Sequence, residues 1–169
     1  MRRALLLATV VAALTWAVPQ ASGGGGCTLT GTPGNDDLRG DGGPDIICAK
    51  GGKDFIKGRG GDDRLLGQGG KDTIISGPGI DQAVGGGEAD ILDGNGGDDQ
   101  LFGGKGNDLL RGFGGADVLF GGTGNDCLYI VDNVSGNDTA EGQQGNDRYD
   151  IDAGDAIKTA ETVGSCAGD

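Results

Sequence analysis

Aspartate returns every nine residues. It stands at Asp36, Asp45, Asp54, Asp63, Asp72, Asp81, Asp90, Asp99, Asp108, Asp117 and Asp126, eleven consecutive hits in one register. A step of 12 then leads to Asp138 and a step of nine to Asp147, which places a three-residue insertion within 128–135. Other residues keep the same beat. Glycine sits two places before each of the eleven, with Glu88 the one exception, and an aliphatic residue sits two places after, with Ala83 the weak member. Five places before is usually glycine again, as at Gly40, Gly58, Gly67, Gly94, Gly103 and Gly121. A fixed short period means a stack of equivalent units, each unable to bury its apolar face alone. Composition is a poor recipe for an ordinary globule and by itself suggests either disorder or a repeat architecture. Forty of 169 residues are glycine and only 4% are aromatic, so large core side chains are scarce and the backbone entropy to be lost is high.

Two units carry a known pattern in full. Gly103-Gly104-Lys105-Gly106-Asn107-Asp108-Leu109-Leu110-Arg111 and Gly121-Gly122-Thr123-Gly124-Asn125-Asp126-Cys127-Leu128-Tyr129 resemble the RTX (hemolysin-type) calcium-binding nonapeptide, G-G-x-G-x-D-x-U-x. Most other units are a close variant with the paired glycines at the third and fourth places, as in Gly58-Arg59-Gly60-Gly61-Asp62-Asp63-Arg64-Leu65-Leu66. The resemblance covers Gly31 to about Asp150. It implies an all-β fold, a right-handed parallel β-roll (β-solenoid) with two nonapeptides per coil and Ca²⁺ between successive loops on each edge.

Elementary geometry leads to the same arrangement. The aliphatic residue and its two neighbours make a three-residue strand that points the aliphatic inward and the neighbours outward. The glycine-rich residues before it turn the chain through positive φ. Alternate units stack on opposite edges, so loops 18 residues apart become neighbours at a strand spacing of about 4.8 Å. Ca²⁺ takes six to eight oxygens at ~2.3–2.6 Å, within reach of two such loops, each offering carbonyls and one carboxylate. The expected metal ligands are therefore Asp36, Asp45, Asp54, Asp63, Asp72, Asp81, Asp90, Asp99, Asp108, Asp117 and Asp126. Consecutive members of each edge share an ion, and Asp138 and Asp147 follow Asp117 and Asp126 across the 12-residue step. The sites next to Glu88 and to the Pro78-Gly79-Ile80-Asp81 loop depart from the pattern. A turn-forming role explains an isolated aspartate in a glycine-rich loop, but not one fixed place eleven times running. One aliphatic residue per nine also offers too little apolar burial to offset the ordering of nine backbones, so metal binding is expected to drive folding.

Other chemistries fit poorly. The acidic stretches lack the twelfth-position glutamate of an EF-hand. With no histidine in the chain, a His-based triad is impossible and no nucleophile elbow is present. Adjacent acids such as Asp62-Asp63 and Asp98-Asp99 are expected from aspartate abundance alone, so an enzyme is not expected. Nor is a flat surface-binding ladder, because the residue after each aspartate varies freely. Phe102, Phe113 and Phe120 are expected on the outside, either as an interaction patch or as scattered surface apolars. A net charge of −13 argues against nucleic acid as a partner and for cations. No particular protein or surface partner is specified by the pattern.

The ends differ from the array. Met1-Arg2-Arg3, an apolar run over 4–18 and Ala21-Ser22-Gly23 read as a secretory signal peptide over 1–23. Fifteen apolar residues fall short of the ~20 a spanning helix needs, so no transmembrane segment is expected in the mature chain, and the protein is expected to be secreted and extracellular. Residues 24–30 form an N-terminal linker and cap, 31–150 the calcium-binding roll and 151–169 a C-terminal cap. Four cysteines in an exported chain favour disulfides over zinc. Local pairing, Cys27 with Cys48 and Cys127 with Cys166, is the simplest of three connectivities.

Overall fold

In a computed structural model the chain is described over residues 26–132, 137–158 and 166. The expected signal peptide, 1–23, and most of the C-terminal segment after 158 lie outside the described residues. Fifteen strands follow one another with no helix among the described residues: β1 (Leu29–Thr30), β2 (Asp37–Arg39), β3 (Ile46–Cys48), β4 (Phe55–Lys57), β5 (Arg64–Gly69), β6 (Thr73–Pro78), β7 (Gln82–Gly87), β8 (Ile91–Gly96), β9 (Gln100–Lys105), β10 (Leu109–Gly114), β11 (Val118–Thr123), β12 (Cys127–Ile130), β13 (Thr139–Gln144), β14 (Arg148–Ile151) and β15 (Ala156–Ile157). Odd-numbered strands form one parallel sheet and even-numbered strands the other. The chain is thus a β-solenoid of about seven turns, two nonapeptides to the turn.

Register follows the repeat. Leu92 pairs with Leu110 and Leu101 with Leu119, each 18 residues on. Across the insertion the step becomes 21, as in Leu119 with Ala140 and Leu128 with Tyr149. The aliphatic row from Ile47 to Leu128 is fully buried, and it forms the core with Leu38 at one end and Tyr149 at the other. Tyr149 occupies an aliphatic place, and its hydroxyl accepts the buried Gly142 N–H at 2.7 Å.

Strands are longer than the three residues expected. From β5 to β11 all seven run six residues, because pairing continues past the inner glycine, as in Phe113 with Asn95 and Gly114 with Gly96. The glycine pattern has two separate causes. From Gly52 onward the glycines two places before the aspartate turn at positive φ, Gly97 at 116° for example. Those five places before it lie inside, where a Cβ has no room. A Cβ on Gly103 would meet the Gly121 carbonyl oxygen at 2.5 Å and the Asp108 carboxylate, whereas one on Gly96 would meet nothing within 4 Å. Gly103→Ala is expected to cost about 1–3 kcal/mol. Gly96→Ala should be neutral or gain about 0.4–1 kcal/mol through the unfolded chain. Denaturant midpoints in saturating calcium measure both, and equal losses would contradict this division of roles.

Two of the three phenylalanines expected outside are not freely exposed. Phe120 is 7% exposed and Phe102 half-buried, their rings stacked 5.2 Å apart. They belong to an in-register outward row, Cys48, Leu66, Val84, Phe102 and Phe120, on the odd sheet, and neighbours in such a row cover one another. Phe113 alone is exposed, on the other sheet. Both local disulfides form, Cys27–Cys48 and Cys127–Cys166.

Candidate metal centre

The repeated aspartates stack into two columns, one on each edge of the roll. Within a column each aspartate's backbone N–H donates to the Oδ1 of the aspartate one coil further on. Asp36 donates to Asp54, Asp54 to Asp72, Asp72 to Asp90 and Asp90 to Asp108 at 2.8–2.9 Å. Asp108 likewise donates to Asp126, and Asp126 to Asp147 across the insertion, at 2.9 and 2.8 Å. On the other edge Asp45, Asp63, Asp81, Asp99 and Asp117 lead in the same way to Asp138. All thirteen expected residues therefore fall in the two columns. The second column runs one step beyond them, because Asp138 N–H also meets Asp155 Oδ1 at 3.4 Å. An eight-residue step after Asp147 hides Asp155 from a search at nine.

From Asp54 to Asp147 these aspartates are at most 3% exposed. Oδ1 is satisfied by the N–H, but Oδ2 is not. In Asp54, Asp63, Asp72, Asp81, Asp90, Asp99, Asp108, Asp117 and Asp138 the buried Oδ2 has no hydrogen-bond partner. An unsatisfied buried carboxylate oxygen is costly, and nine of them along the two columns make a ligand set that suits a cation. Burial raises the carboxyl of Asp90 to about 8 and of Asp99 to about 7, against the opposing N–H bond from the preceding coil. Carboxylates nearby add to the rise, Asp108, Asp72 and Glu88 around Asp90. Asp72, Asp81, Asp108, Asp117 and Asp138 rise to about 6, again through burial.

These shifts fix a sign. A carboxyl whose folded value is raised stabilises the ion-free roll below its ordinary value near 3.8 and loses that contribution as pH climbs through 6 to 8. In calcium-free buffer the chain should hold more β-structure at pH 5 than at pH 8, read by far-ultraviolet circular dichroism. Equal or lesser β-content at pH 5 would contradict the buried, uncompensated column.

The donor chemistry fits a hard cation. Among the described residues no three His, Cys, Asp or Glu side chains converge on one point. The carboxylates come in stacked pairs, so further ligands must be backbone carbonyls, and an all-oxygen set suits Ca²⁺. A second polar row lies beside the columns. At several places just before a column aspartate, an Asn or Asp Oδ1 accepts an N–H from the following coil. Asn35, Asp62, Asp98, Asn107 and Asn125 do so at 2.8–3.0 Å. The adjacent acids of Asp62-Asp63 and Asp98-Asp99 are thus one ladder residue and one column residue.

A parallel solenoid with a buried column of unsatisfied aspartates on each edge is a calcium-binding β-roll in class. The family model described as RTX calcium-binding nonapeptide repeat (4 copies) matches residues 30–65, 49–83, 75–110, 93–128 and 135–156, and the chain belongs to this family. No curated protein matches the chain.

Proposed function

We propose that the protein is secreted, folds when it binds calcium, and serves outside the cell as a multi-ion binding or structural roll without catalytic activity. The row of buried, partnerless Oδ2 atoms carries this reading, because a cation is the one partner that would satisfy all of them at once. Asp36, Asp45, Asp54, Asp63, Asp72, Asp81, Asp90, Asp99, Asp108, Asp117, Asp126, Asp138 and Asp147 would hold the ions pairwise along each column, with loop carbonyls completing the shells. Bound calcium supplies positive charge between the stacked carboxylates and ties successive loops together. Export is supported by the apolar run over 4–18 behind Arg2 and Arg3 and by cysteines that all pair. Titrating Ca²⁺ into chelator-treated chain under far-ultraviolet circular dichroism tests the coupling. A signal indifferent to calcium rejects it.

A further inference from the structure

One layer of the second column carries an extra oxygen. Of the eleven places five residues before an aspartate from Asp36 to Asp126, nine hold glycine. The exceptions are Ala49 and Ser76, both fully buried. Ala49 is an internal control, because a methyl fits in its layer and brings no polar atom. Ser76 brings a hydroxyl, and its Oγ is buried without a hydrogen-bond partner. An unsatisfied buried hydroxyl costs free energy that glycine or alanine at the same place would avoid. Within β6, Ser76 lies on the inward side with Ile74, while Thr73 and Ile75 are half-buried.

The repeat fixes what the Ser76 side chain faces. A Cβ on Gly58, Gly67, Gly85, Gly94 or Gly103 would lie 2.2–2.5 Å from Oδ2 of the aspartate five residues on. On Gly67, Gly85 and Gly94 it would next meet the carbonyl oxygen 18 residues on, at 2.7–2.9 Å. For Ser76 those places belong to Asp81 Oδ2 and the Gly94 carbonyl oxygen. Asp81 Oδ2 is itself buried and without a partner. Two unsatisfied side-chain oxygens, one of a carboxylate and one of a hydroxyl, therefore share a layer with a backbone carbonyl. Burial raises the Asp81 carboxyl, and the charges of Asp63 and Asp62 add to the rise. A further carboxylate here would increase that repulsion, whereas a hydroxyl adds an oxygen without charge.

We propose that the Ser76 hydroxyl is an additional calcium ligand at Asp81, giving this layer a neutral side-chain oxygen that the glycine layers lack. This rests on the calcium binding proposed above. A hydroxyl suits the place, because its lone pairs can face a hard cation while its hydrogen stays available to a carboxylate oxygen. The same loop, Pro78-Gly79-Ile80-Asp81, departs from the repeat, and Ser76 supplies it with an oxygen from outside the motif.

Native mass spectrometry of the full chain across a calcium titration tests the assignment. In Ser76→Ala one ion should bind about tenfold more weakly, the scale of one lost contact to a charged group, while the others keep their affinity. The variant should fold, because Ala49 already stands at the equivalent place. Ser76→Cys adds a signature that packing alone does not give. The four native cysteines are paired, so the new thiol would be the only free one. Cadmium, a softer ion that a thiolate favours, should then produce a sulfur-to-metal absorption band in the ultraviolet that the native chain lacks. Unchanged or tighter calcium binding in Ser76→Ala, or an equal loss at every ion, overturns the role of Ser76 and leaves calcium binding intact. Cadmium without the band does the same. A native chain that takes up no calcium overturns both readings.

Discussion

Without calcium the chain is expected to give a largely unfolded spectrum at neutral pH, and added Ca²⁺ should convert it steeply to β. The core explains the first half. Each nonapeptide buries one aliphatic residue in a single-file stripe, and that burial opposes the ordering of nine glycine-rich residues. The columns add a direct penalty, because they bring carboxylates together out of water with one oxygen of nine of them unsatisfied. Steepness follows from sharing. Each interior aspartate faces a partner in the coil before and the coil after, so two ions depend on one loop. Asp72→Ala, in mid-column, should therefore raise the calcium midpoint more than Asp36→Ala at the column's end. Mg²⁺ should substitute poorly, since it dehydrates reluctantly and requires a tighter octahedron. A chain already folded in excess chelator at neutral pH would overturn this account.

The sequence period carried most of this architecture, and the reason is physical. In a solenoid each residue's environment depends only on its place in the repeat, so one register assigns the inner row, the turn and the column together. The 12-residue step was readable for the same reason: the columns resume at Asp138 and Asp147 with their bonds intact. What escaped the period was whatever depends on side chains of alternate units. The outward row ending in Phe102 and Phe120 emerges only when every second unit is placed in one sheet. The row of Asn35, Asp62, Asp98, Asn107 and Asn125 was hidden because two residue types share one hydrogen-bonding role. Asp155 was hidden by an eight-residue step.

A carboxylate placed on the inner row should abolish calcium-dependent folding, and one placed next door should not. Leu101 is fully buried, in register between Ala83 and Leu119, in a stripe whose nearest layers are apolar. In Leu101→Asp the new carboxylate would have no donor and no ion, because the columns lie at the edges while this stripe runs between the sheets. Burying such a group costs several kcal/mol, a large share of the ~5–15 kcal/mol that holds an ordinary domain together. Lost Leu101 packing adds to it, through a cavity that the facing sheet cannot fill without shifting its own register. Gln100 precedes it on the outer face and is exposed, so Gln100→Asp should change stability by no more than about 0.5 kcal/mol. Far-ultraviolet circular dichroism in saturating calcium separates the two. Loss of the β spectrum in Leu101→Asp with retention in Gln100→Asp supports the inside–outside assignment, and equal damage from both would reject it.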